Sequence, residues 1–147
     1  MDELGTGLLT SWWAEPEDKE GYSVYTGIRY DLDDLRLKLG LEFNYGTKNW
    51  ISFTTADEFY VSKLATRGYV AEIYSIYDIP TVDFSAWLNK GFVRVGYKYF
   101  DYEYTGSGSW LGKPEKIDDI ANDPLASQFY APDYHDHMIY MVVDLYF

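Results

Sequence analysis

The sequence predicts an all-β fold: an antiparallel up-and-down transmembrane β-barrel of seven or eight strands, the C-terminal segment of a larger barrel. Three observations predict it. Side chains alternate with period two through several segments, aromatic residues sit at the ends of those segments, and the chain reaches Phe147 through a run with an apolar residue at every second position.

The clearest alternation lies between Leu35 and Tyr45. Leu35, Leu37, Leu39, Leu41, Phe43 and Tyr45 fall on one face, and Arg36, Lys38, Gly40, Glu42 and Asn44 on the other. Helical spacing would mix these sets, so the segment is a strand. Before it, Tyr22, Val24, Thr26, Ile28 and Tyr30 oppose Ser23, Tyr25, Gly27, Arg29 and Asp31. Later, Val93, Val95, Tyr97 and Tyr99 oppose Arg94, Gly96, Lys98 and Phe100. At the end, Ile139, Met141, Val143, Leu145 and Phe147 oppose Tyr140, Val142, Asp144 and Tyr146.

Less regular strands are expected at 4–14, 49–57 and 69–79, and 81–89 is either a strand or an extended turn. Turn chemistry marks the connections: Glu15-Pro16-Glu17-Asp18-Lys19-Glu20-Gly21, Asp31-Leu32-Asp33-Asp34, Gly46-Thr47-Lys48-Asn49 and Asn89-Lys90-Gly91. A longer connection runs from about 57 to 68, and the longest from about 105 to 137. Within the longest, Pro114 in a first turn followed by Glu115, Asp118 and Asp119 suits a short helix, because carboxylates favour the positive end of a helix dipole. The whole of 1–147 is expected to be one barrel segment.

Alternation by itself also fits a water-soluble sandwich or a lipocalin-like barrel. Charge and aromatic placement shift the balance. Arg29, Arg36, Lys38, Glu42, Glu72, Arg94, Lys98 and Asp144 stand inside strands on the non-apolar face, which a water-filled lumen accommodates. Tyr22 and Tyr30 bracket nine residues, close to the number a tilted strand needs to cross hydrocarbon. Tyrosine prefers such boundaries because it joins an apolar ring to a polar tip.

Composition bounds the function. A net charge of -12 argues against nucleic acid as a partner, since phosphate binding needs a basic surface. With no cysteine there is neither a disulfide framework nor a thiolate metal site. No apolar run is long enough for a transmembrane helix. The opening Met1-Asp2-Glu3-Leu4 lacks the basic and apolar regions of a secretory signal, so the barrel reading expects the chain to be a fragment of a longer protein.

Three stretches carry a family resemblance: Lys38-Leu39-Gly40-Leu41-Glu42-Phe43-Asn44-Tyr45-Gly46-Thr47-Lys48-Asn49-Trp50, Ser62-Lys63-Leu64-Ala65-Thr66-Arg67-Gly68, and Tyr102-Glu103-Tyr104-Thr105-Gly106-Ser107-Gly108. Together they resemble the C-terminal third of an uncharacterised family of proteobacterial outer-membrane, porin-like barrel proteins, from about Gly21 onward. The resemblance implies a porin-like barrel and an outer-membrane address. It brings no catalytic residue and no substrate. The stretch 81–89 departs from the family pattern and resembles an insertion. The terminal Ile139, Met141, Val143, Leu145 and Phe147 resemble the assembly signal of outer-membrane proteins, which implies capture of the last strand by the barrel-assembly machinery through edge pairing.

Candidate chemistry is sparse. His135 and His137 share a strand face beside Asp133 and Asp136 and form the one metal-like cluster, although histidine at a membrane boundary explains them more simply. The acids lie mostly in connections, and the sequence fixes no carboxylate pair of the kind hydrolysis needs. Ser107 lacks the setting of a nucleophile elbow. No cofactor and no enzymatic activity are expected. The expected lumen-lining residues are Arg29, Arg36, Lys38, Glu42, Arg94 and Lys98, with outer-membrane lipid outside and small hydrophilic solutes or ions passing inside. Because lumen charges of both signs occur, ion preference stays open. A non-conducting structural or adhesive barrel and a soluble lipocalin-like binder are the alternative expectations.

Overall fold

The computed structural model describes residues 9, 18–52, 62–80, 90–108, 112–120 and 134–146. These residues form one open antiparallel five-stranded sheet with almost no helix. The strands are β1 (Ser23–Leu32), β2 (Leu37–Gly46), β3 (Gly68–Ile79), β4 (Lys90–Tyr102) and β5 (His135–Tyr146), and their order in the sheet is their order in the chain. Each strand pairs with its sequence neighbours, which is the up-and-down part of the expectation. Five strands stand among the described residues where seven or eight were expected.

Several boundaries differ from the sequence reading, each for a local reason. The strand expected from Leu35 begins at Leu37, because Asp33–Leu35 wind into a single 3-10 turn. Arg36 closes that turn with φ 53° and donates its N–H to the Asp33 carbonyl at 3.1 Å. The strand expected over 49–57 is absent at 50–52. There the Trp50 N–H donates to the Thr47 carbonyl at 3.0 Å, and the Trp50 carbonyl accepts from the Arg67 side chain at 3.0 Å, so the backbone of Trp50 is satisfied outside any ladder. Residues 53–57 lie outside the described residues, as does 4–14 apart from Leu9, which is buried in a turn. β5 starts at His135, two residues inside the loop expected to end at 137. The short helix occupies Ile117–Ile120, with Asp118 and Asp119 in its first turn, while Pro114 is buried ahead of it rather than inside it.

β3 and β4 are hydrogen-bonded neighbours in the sheet. Residues 81–89 themselves lie outside the described residues. Two connections, 33–36 and 80–89, fall at one end of the sheet; the two longer ones, 47–67 and 103–134, fall at the other. Among the described residues no helix is long and apolar enough to cross a membrane, which says nothing of strands.

The chain divides into two compact units. One comprises Met1–Tyr25, Asn44–Val70 and Phe100–Asp136. Its core combines Val70, Phe100, Ile117 and Ile120 with buried polar groups, Asn44, Thr66, Arg67 and Thr105. The other comprises Thr26–Phe43, Ala71–Tyr99 and His137–Phe147 and holds the regular middles of the strands. Among the described residues its buried side chains are Glu72 and Tyr74, an acid and a phenol.

Candidate functional site

The unit holding the strand middles is built inside out relative to a water-soluble sheet. Its apolar side chains are the exposed ones: Leu39, Leu41 at 54%, Phe43, Ile73, Val95, Met141, Val143 and Ile139 at 80%. At the alternate positions of the inner strands charge is covered, with Lys38, Glu42, Arg94 and Lys98 half-buried and Glu72 only 1% exposed; on the outer strands Asp144 is half-buried, while Arg29, Val142 and Tyr146 are exposed. Soluble proteins rarely leave an apolar face of this extent to water, because each square ångström buried stabilises by about 25 cal/mol.

Glu72 anchors the charged face. One of its oxygens, Oε1, accepts from Arg94 Nη2 at 2.7 Å and from the Tyr140 hydroxyl. Arg94 Nε donates to that same hydroxyl at 2.9 Å, which closes a triangle across β3, β4 and β5. The Arg94 guanidinium also stacks over the Tyr74 ring, 3.9 Å from its centroid, and Tyr74 hydrogen-bonds Glu42 on β2. Charge-assisted bonds of this kind are about twice as strong as neutral ones. Lys98 Nζ sits 5.1 Å from the centroid of the Tyr140 ring.

Two glycines make room for the tyrosines. A Cβ added at Gly40 would meet the Tyr74 ring, and one added at Gly96 would meet the Tyr140 ring, both well inside van der Waals contact. Each ring therefore lies across a glycine of the neighbouring strand, covering backbone that would otherwise lack a side chain. Because Tyr140 is pinned by Glu72 and Arg94, it cannot swing clear without breaking those bonds. Gly96→Ala is expected to destabilise the protein by about 1–3 kcal/mol, the usual range for overpacking. A urea-unfolding series in detergent micelles measures this, and an unchanged midpoint would mean that the ring does not rest there.

The residues singled out from the sequence separate into different settings. Arg29 pairs with Asp31 at 2.8 Å on the exposed β1, and Lys38 pairs with Asp78 at 2.5 Å. Arg36 stands in the left-handed turn position between β1 and β2 and so lies on no strand face. Glu42, Arg94 and Lys98 belong to the charged face of β2 and β4 described above. Of the terminal run, Ile139, Met141, Val143 and Leu145 are exposed on one face of β5, and Phe147 lies outside the described residues. His135 and His137 alternate along β5 with separate partners: His135 Nδ1 is 3.7 Å from Asp101, while His137 Nδ1 is 2.7 Å from the Tyr97 hydroxyl and its ring faces Tyr99. Among the described residues no three metal-donating side chains converge.

Arg67, 1% exposed, is the residue that sequence reasoning missed. Its Nη1 donates to the carbonyls of Thr105 at 2.9 Å and Gly106 at 3.0 Å, its Nε to that of Trp50 at 3.0 Å, and its backbone N–H to the Ser107 hydroxyl at 2.8 Å. Burial lowers the guanidinium pKa to about 10, so it remains charged at neutral pH. Next to it, Gly68 adopts φ 132° where a Cβ would strike the Asp101 carbonyl, a position closed to other residues. The three stretches that carry the family resemblance thus contribute Trp50, Arg67 and Thr105–Ser107 to one cluster. That shared motif was the available signal.

Among known families, residues 4–147 fit the model of one described as protein of unknown function (DUF3373). No curated protein and no solved structure matches the chain.

Proposed function

We propose that this chain, which belongs to the family described as protein of unknown function (DUF3373), forms part of the wall of a β-barrel in the bacterial outer membrane, where it serves the passive passage of small hydrophilic solutes or ions. The carrying observation is the inverted partition of side chains: leucine, isoleucine, methionine and valine exposed, and the Glu72–Arg94–Tyr140 group covered. Lipid would take the place of water against Leu39, Leu41, Phe43, Ile139 and Met141, and water would fill the space before Arg94 and Lys98.

Two further features support the reading. Tyrosines stand at strand ends, exposed Tyr22 and half-buried Tyr45 at one and exposed Tyr30 and Tyr77 at the other, which suits two headgroup boundaries. Short connections at one end and long ones at the other match the asymmetry of outer-membrane barrels, in which long loops face outward. Among the described residues β5 ends the sheet order with β4 as its one neighbour, so Ile139, Met141, Val143 and Leu145 belong to an edge strand that assembly machinery could extend. No covalent chemistry is proposed.

The test is electrical. The full protein, reconstituted in planar bilayers, is expected to give stepwise conductance, and liposomes carrying it are expected to swell in small sugars. A second reading, a barrel without a channel, draws on the Tyr74 and Tyr140 rings and the paired charges that occupy the interior side. Detergent-dependent, heat-modifiable gel mobility without conductance would favour that version. A protein that stays monomeric and soluble without detergent would sink both.

A further inference from the structure

We infer that Lys98 is the contact residue for small anions on the charged face and sets the anion permeability of the passage. The inference rests on the passage proposed above and is carried by how the cations on this face are partnered.

Three of them are neutralised at close range. Arg94 is held by Glu72 at 2.7 Å, Lys38 by Asp78 at 2.5 Å and Arg29 by Asp31 at 2.8 Å. Arg36 stands in the turn ahead of β2, and Lys90, of the same parity as Lys98, is exposed at the first position of β4, at the end of the strand rather than along the wall. Each ion pair presents a dipole to a passing ion, and its field decays faster than that of a single charge. Lys98 is held differently. Among the described residues it forms no ion pair, and its ammonium rests 5.1 Å from the centre of the Tyr140 ring. An aromatic ring attracts a cation through its quadrupole but carries no net charge. The ring therefore fixes the ammonium in place and leaves its full positive charge available.

The anchor is itself fixed, because the Tyr140 hydroxyl is bonded to both Glu72 and Arg94. Lys98 also shares its strand face with Arg94 and Gly96, the residues beneath the same ring. The acids of the face are placed to leave this position positive. Glu72, Asp78 and Asp31 are paired, Glu42 stands on β2, which β3 separates from β4, and Asp144 lies near the far end of β5. A hydrated chloride, carboxylate or phosphate passing this wall would find its positive contact at Lys98.

The experiment measures reversal potentials across bilayers in a potassium chloride gradient, with the full protein and its single variants. Lys98→Gln is expected to lower the chloride-to-potassium permeability ratio by about two- to fivefold, the scale of one unit charge acting at contact distance in water, and Lys98→Glu to lower it further. Arg36→Gln changes net charge equally at the turn and is expected to shift the ratio less. Conductance with a ratio unchanged in Lys98→Gln, or moved equally by Arg36→Gln, would overturn the inference and leave the passage standing. No conductance in any variant would overturn both.

Discussion

Glu72→Ala is expected to destabilise the folded protein by about 3–5 kcal/mol, the range for removing one partner of a buried ion pair. The reason lies in what is left behind. Arg94 and Tyr140 both direct bonds at Glu72 Oε1, and without it the guanidinium keeps the phenol and the Tyr74 ring but no carboxylate. The Arg94 side chain is 30% exposed, so water can recover part of the loss, and the lower end of the range applies. Glu72→Gln keeps an acceptor oxygen in place and is expected to cost about 1–2 kcal/mol, the worth of the lost charge on two hydrogen bonds. Urea titration in micelles, followed by tryptophan fluorescence, separates the two variants. Alanine and glutamine variants of equal stability would show that the acid does not organise this face.

Leu41→Arg is expected to cost about 2–4 kcal/mol in a lipid bilayer, the penalty for a cation at mid-depth on the lipid face of a barrel. Leu41 is 54% exposed in the middle of β2. On a water-soluble sheet a site that open would tolerate arginine within about 0.5 kcal/mol. Leu35 supplies the internal comparison, being 62% exposed but placed in the 3-10 turn at the strand ends. Leu35→Arg is expected to cost about 0–1 kcal/mol, because near an interface the side chain can reach water. Folding titrations in phospholipid vesicles give both values. Equal, small costs at the two positions would falsify the lipid-facing assignment of Leu41.

The strands were legible because period-two alternation is a one-dimensional signal. Leu37 to Tyr45 separated its faces without any knowledge of neighbours, and the structure keeps that division as β2, with Leu39, Leu41 and Phe43 exposed and Lys38 and Glu42 half-buried. What alternation cannot report is which side chain lies opposite which. Gly40 and Gly96 counted only as gaps on the polar face, although each is the floor beneath a tyrosine from the next strand. Tyr140 likewise belonged to the charged face by parity, yet its role in joining Glu72 to Arg94 depends on the pairing of three strands. Arg67 was harder still. It sits outside any strand, and its acceptors are backbone carbonyls, which residue type does not reveal. At 50–52 the sequence reading favoured a strand because it could not see that turn and guanidinium bonds had claimed the backbone.

Arg67 also bears on the order in which the chain can settle. Its acceptors come from 17 residues upstream and from 38 and 39 residues downstream. A chain emerging from its N-terminus has Trp50 in hand when Arg67 appears, but Thr105 and Gly106 follow only after all of β4 has been delivered. Until then the guanidinium has no reason to leave water. The cluster of Trp50, Arg67 and Thr105–Ser107 must therefore close late, with the return of β4 alongside β3 as its trigger, and a lesion in the 105–107 segment would surface as a defect around Trp50 and Arg67, which were synthesised long before it.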